Sequence, residues 1–138
     1  FDIDAAAPVT AVLESVIAKA SREHGGSSPT KLILTHPEAW SDREIGVLLT
    51  AAQQAGVPLD SIETISEPKA AAHYYTQDRA LKAGEKFAVF DFGGGTLDVA
   101  VLEAQDNNAF NVIAAQGDNT LGRCGSWRIA DALANHSY

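Results

Sequence analysis

Phe90-Asp91-Phe92-Gly93-Gly94-Gly95-Thr96-Leu97-Asp98 decides how this chain is read, because an apolar strand runs into a glycine turn with a carboxylate on either side. Lys86 to Phe92 is apolar and aromatic, and Leu97 to Leu102 is strand-like again. The glycines are therefore expected in a hairpin. Dinucleotide and Walker-type loops differ, since each passes from a strand into a helix so that phosphate meets the helix N-terminus. In a hairpin, Gly93, Gly94 and Gly95 carry no β-carbon to hold an anion away from backbone N–H groups, and the Thr96 hydroxyl adds a donor. A tight turn that needs positive φ and binds nothing is the alternative. Asp91 and Asp98 weigh against it. A strand-end carboxylate such as Asp91 is costly to bury without a hydrogen-bonded or metal-linked role, although an Asx turn is also open to it.

Outward from the hairpin the pattern is mixed. Val9, Val12, Leu13, Val16, Ile17 and Ala20 fall at helical spacing, with Pro8 in the first turn and Gly25-Gly26 at the end. Lys31 to Thr35 reads as a short buried strand that stops at His36-Pro37. Ser41 and Glu44 form a capping box, Ile45, Leu48, Leu49, Ala52 and Ala55 make an apolar face, and Gly56 sits where a C-cap belongs. Leu59 to Ser66 is expected to be a second strand, and Glu67-Pro68 opens a third helix from Lys69 to about Lys82. After Gly84 the pattern changes to three strands, Lys86 to Phe92, Leu97 to Ala104 and Ala109 to Gln116, and an amphipathic segment from Ser126 to about Asn135 ends the chain as a helix. A boundary near Gly84 follows from that change. Each side has too few strands for a sheet of ordinary size, so both pieces are expected to belong to larger sheets.

Composition narrows the function classes. The 138 residues have 46% hydrophobic content and a formal charge of −8, with an isoelectric point near 4.8. This balance argues against a nucleic-acid surface, which needs clustered Lys and Arg. No run approaches the roughly 18 apolar residues that mark a membrane span, and Phe1-Asp2-Ile3-Asp4 lacks the basic start of a signal peptide. A cytoplasmic setting is expected. The single Cys124 and the scattered His24, His36, His73 and His136 give no paired metal-ligand spacing. Asn135-His136-Ser137 fits the glycosylation pattern but reads as a chance tripeptide. The absence of methionine predicts that the chain is cut from something longer.

Glu67 stands between a strand and a helix, where a carboxylate is held rigidly beside a cleft or satisfies helix amides. Glu67, Asp91 and the Gly93 to Thr96 turn together supply what phosphoryl transfer needs: carboxylates for hydrated magnesium and an attacking water, and amides for phosphate. A cation is missing from the set, because Lys69 falls on a helical surface and no Lys or Arg has a strand-end setting equivalent to that of the carboxylates.

Four stretches in order resemble the ATPase domain of the seventy-kilodalton heat-shock chaperone (DnaK-like) family within the actin-like superfamily. They are Thr35 to Asp42, Ile65 to Ala72, Phe90 to Asp98, and Gly117-Asp118-Asn119-Thr120-Leu121-Gly122. The resemblance implies a partial α/β, actin-like (ribonuclease H-like) ATPase fold with mixed sheets and flanking helices. Residues 1–84 would be the C-terminal part of lobe I and residues 85–138 the start of lobe II. It implies a chaperone-like ATPase that couples ATP hydrolysis to protein folding, with Glu67 in the hydrolytic site and Asp91 in the cation and water network. Gly93, Gly94, Gly95, Thr96 and Asp98 would belong to the second phosphate loop. ATP or ADP and Mg2+ are the implied ligands of the complete domain, and the implied partners are the rest of that domain, a peptide-binding domain and co-chaperones.

Pro37 matches a proline implicated in signalling between lobes. Ile45 stands where the family places the arginine that works with it, and Arg123 to Trp127 depart from the family's glycine and acidic-aromatic stretch. The family's first phosphate loop, catalytic lysine and adenosine segment have no counterpart here, so the isolated chain is expected neither to hydrolyse ATP nor to bind it tightly. An actin-like filament ATPase of the cell-shape type and a degenerate, non-catalytic binding module are the rival expectations.

Overall fold

The computed structural model describes residues 5–79, 81–92, 97–106 and 108–118. The helix expected over Ser126 to Asn135 lies outside them. The chain divides into two compact units, Phe1–Ser66 and Glu67–Tyr138.

The first unit runs α1 (Ala6–Glu23), β1 (Leu32–His36), α2 (Asp42–Gln54), a 3-10 turn (Leu59–Ser61) and β2 (Ile62–Ser66). Helix α2 starts on the expected capping box. The Ser41 hydroxyl oxygen accepts from the Arg43 N–H at 3.3 Å, and the Ser41 N–H donates to Glu44 Oε2 at 2.9 Å. The Ser41 hydroxyl also donates to that carboxylate, and these bonds, the side-chain one foremost, hold the Glu44 carboxyl below its ordinary range. Helix α2 stops at Gly56, whose φ of +89° suits glycine alone without strain, while the Val57 N–H closes the end on the Ala52 carbonyl at 3.1 Å.

Between its ends α2 buries Ala51 and Ala52, and it contacts both α1 and β2. The Thr10 hydroxyl of α1 lies 3.0 Å from Gln54 Oε1. With α2 as the crossover, β1 and β2 pair in parallel from Leu32↔Ile62 to His36↔Ser66. The second strand begins later than its sequence suggests. Pro58 initiates a 3-10 turn, closed by the Ser61 N–H on the Pro58 carbonyl at 2.9 Å, and extended backbone starts only at Ile62.

The second unit opens with α3 (Glu67–Tyr75) and continues into an antiparallel meander of β3 (Lys86–Phe92), β4 (Leu97–Ala104) and β5 (Phe110–Asp118), in the order β3-β4-β5. On the inward face Phe87 pairs with Leu102 and Val89 with Ala100, and Ala104 pairs with Phe110 of β5. Ala72 of α3 joins Ala100, Leu102, Ala104 and Phe110 in one buried cluster, with Leu81, Phe87, Val89 and Val112 against it. Two edge-to-face contacts tie it together, Phe87–Phe110 at 5.7 Å and His73–Phe110 at 4.9 Å between ring centroids.

Helix α3 ends well before Lys82. The Thr76 N–H still reaches the Ala72 carbonyl at 3.1 Å, but the Gln77 N–H turns to the Tyr74 carbonyl and the Arg79 N–H to the Thr76 carbonyl, both at 3.3 Å, so the chain leaves the helical path. Arg79 then anchors the connection, donating to the Tyr75 hydroxyl at 3.1 Å and lying 3.5 Å from the Glu85 carboxylate.

A shift in register between Val101 and Leu102 interrupts the β4–β5 ladder. Leu102 pairs with Val112 below the shift, whereas Val101 pairs with Ala114 above it. One extra β5 residue exchanges the faces, so odd-numbered β5 positions turn inward beyond this point.

Candidate phosphate site

The hairpin drawn from the sequence is formed by β3 and β4, whose last pair before the glycines is Phe92↔Leu97. Gly93, Gly94, Gly95 and Thr96 lie outside the described residues. Immediately inside that closing pair, Asp91 stands directly opposite Asp98. Both belong to the alternation that includes Val89, Ala100 and Leu102, so the carboxylates share the sheet face covered by α3. Asp91 is exposed and Asp98 is half-buried, and among the described residues neither carboxylate has a hydrogen-bonding or ionic partner.

Like charges directly opposite one another on antiparallel strands are destabilising. At the other end of the same strand pair the chain does the reverse: Lys86 faces Glu103, with Nζ 3.7 Å from Oε1. The acidic pair is therefore an unfavourable arrangement confined to the glycine end, where a bound cation would relieve it. No group of three or more His, Cys, Asp or Glu residues suited to a metal occurs among the described residues. Two hard carboxylates nevertheless fit Mg2+, which commonly takes one or two of them and completes its shell with water and phosphate oxygens.

Glu67 is the first residue of α3. The far end of this nine-residue helix packs by Tyr75 against Phe87, with ring centroids 6.2 Å apart, and His73 meets Phe110. Glu67 thus occupies the end remote from those contacts, on the helix that covers the face of Asp91 and Asp98. It also falls in the same compact unit as the hairpin.

Pro37 follows β1 directly, and its carbonyl lies 2.9 Å from His36 Nδ1 and accepts from the Trp40 N–H at 3.1 Å. The His36 and Trp40 rings stack at 6.4 Å. Ile45, in the place of the expected arginine, is half-buried in the first turn of α2. Arg123 to Trp127 lie outside the described residues.

Two polar groups escaped the sequence reading. Ser66 is only 5% exposed, and its Oγ, like Oε2 of Glu38, is buried without a hydrogen-bond partner among the described residues. Ser66 ends β2 and immediately precedes Glu67. A strand-final serine before Glu-Pro was the available signal. Gly117, the first residue of the Gly117 to Gly122 stretch, lies opposite Asp98 in β5.

Residues 5–135 match the family model described as Hsp70 protein. The chain is 39% identical over 111 residues to a chaperone protein dnaK of Cyanidioschyzon merolae and 37% identical over 111 residues to one of Thalassiosira pseudonana. Each alignment covers 80% of this chain and 17% of the relative, so the chain spans about a sixth of the length of these proteins. The fold is that of a partial actin-like ATPase domain, mixed α/β with one parallel and one antiparallel sheet. The chain belongs to the Hsp70 family, and it is a piece of that family's nucleotide-binding domain. No helix among the described residues is long and apolar enough to cross a membrane.

Proposed function

We propose that the protein carrying this chain is a chaperone ATPase, cytoplasmic, that couples ATP binding and hydrolysis to protein folding, and that the β3–β4 hairpin is the second of its two phosphate loops. The observation that carries this reading is the unpartnered Asp91–Asp98 pair at the mouth of the Gly93-Gly94-Gly95-Thr96 turn. Backbone N–H groups of the glycines and the Thr96 hydroxyl hold phosphate oxygens of ATP or ADP. Asp91 holds hydrated Mg2+, and Asp98 lies beside it as part of the same nucleotide site. Mg2+, when bound, neutralises phosphate charge and brings ordered water to the site. Glu67 orients the attacking water from the N-terminus of α3.

Residues 1–84 form the end of lobe I and residues 85–138 the beginning of lobe II, and the rest of the domain supplies the opposing phosphate loop and a catalytic cation. A peptide-binding domain and co-chaperones complete the set of partners. The chaperone names of both relatives favour this reading over a cell-shape filament ATPase or a binding module.

Titration calorimetry on the complete ATPase domain tests the assignment. Asp91→Asn is expected to weaken Mg·ATP binding by roughly ten- to hundredfold, the loss of one charge-assisted interaction. Parental affinity in that variant would remove Asp91 from the site.

A further inference from the structure

Gly117 has no conformational reason to be glycine. The positive-φ glycines among the described residues are Gly25, Gly26, Gly56 and Gly84, whereas Gly117 lies in register within β5. Glycine inside a strand loses packing and costs entropy, and it often marks the close approach of another group. Here that group is Asp98. A β-carbon built at Gly117 would overlap Oδ1 of Asp98, the residue facing it in β4. The register shift selects which β5 residue stands there. Continued from Leu102↔Val112 without the shift, the pairing would bring Gln116 opposite Asp98 and fill the space with a side chain.

We infer that Gly117 is a positioning residue: its missing side chain leaves the room in which the Asp98 carboxylate stays on the inward face opposite Asp91. Any side chain at 117 turns Asp98 away about its Cα–Cβ bond. That movement is cheap for the fold, because the Asp98 carboxylate has no hydrogen-bonding partner to lose among the described residues. It is costly for the nucleotide site, and this functional consequence rests on the reading proposed above.

A double-mutant cycle in the complete ATPase domain, with Gly117→Ala made in native and Asp98→Ala backgrounds, tests the inference through Mg·ATP affinity, thermal midpoint and the variant's crystal structure. Gly117→Ala is expected to weaken Mg·ATP about tenfold or more in the native background and less than about twofold in the Asp98→Ala background, with little change in midpoint. The crystal structure is expected to show the Asp98 carboxylate rotated off Gly117. Equal losses in both backgrounds, or an unmoved carboxylate, would overturn the inference while leaving the nucleotide site intact. Failure of Gly117→Ala to fold, with or without rescue by Asp98→Ala, would also overturn it, because Asp98 would then not turn away freely. If the native domain binds no Mg·ATP, the proposed function falls, and the position of Asp98 alone decides for or against Gly117.

Discussion

Replacing Glu67 with Gln in the complete ATPase domain is expected to slow ATP hydrolysis by roughly 10²- to 10⁴-fold, the usual range for loss of a positioned acid–base group. ATP affinity should change only severalfold. Glutamine preserves the length and hydrogen-bonding reach of the side chain and removes the charge that draws a proton from water. The first turn of α3 should survive the change, because the helix is held by Ala72 in the buried cluster and by Tyr75 and His73 against the sheet. Single-turnover hydrolysis measured beside equilibrium binding separates the two effects. A loss in affinity that matches the loss in rate would make Glu67 a binding residue, and an unchanged rate would exclude it from the chemistry.

The largest expected effect on stability comes from Leu102→Ala, at about 2 to 5 kcal/mol. Leu102 is 0% exposed and is the largest fully buried side chain among the described residues. Its neighbours in the cluster are mostly alanines, Ala72, Ala100 and Ala104, which cannot extend into the space it would vacate. Phe87 and Val112, its partners on either side in the sheet, are fixed by strand pairing and by the Phe87–Phe110 contact. The cavity therefore stays open, which places the cost toward the upper part of that range. Since whole domains are stable by only about 5 to 15 kcal/mol, the change should be visible as a large fall in urea midpoint with little change in slope. A loss below about 1 kcal/mol would mean that the α3-to-sheet core is not packed as described.

Local chemistry made part of this architecture legible from the residues. The ends of α2 are written in Ser41, Glu44 and Gly56, and all three act as expected. The limits of β3 and β4 also coincide with their apolar runs, since the glycine turn leaves a single register for an alternating hairpin. What escaped reading depends on distant partners. The early end of α3 is a change to tighter i→i−3 backbone bonding from Gln77 onward, which helical spacing does not reveal. Its inclusion in the second compact unit reflects the burial of Ala72 beneath β4, a contact with no local signature. The register shift in β5 is likewise invisible in an unbroken apolar run, and without it Gly117 has no connection to Asp98. Asp91 and Asp98 are candidates from the sequence because each interrupts an apolar strand beside the glycines, and Glu67 because it stands where a strand meets a helix.

Hydrogen exchange in the complete ATPase domain, with and without saturating Mg·ADP, tests the central claim most directly through the peptide covering Phe90 to Asp98. If the hairpin is a phosphate loop, its backbone N–H groups become hydrogen-bonded to the nucleotide, and exchange over Gly93 to Thr96 should slow by about tenfold or more, corresponding to over 1.4 kcal/mol of added protection. Exchange at the same rate in both states, while calorimetry shows the nucleotide bound, would contradict the account.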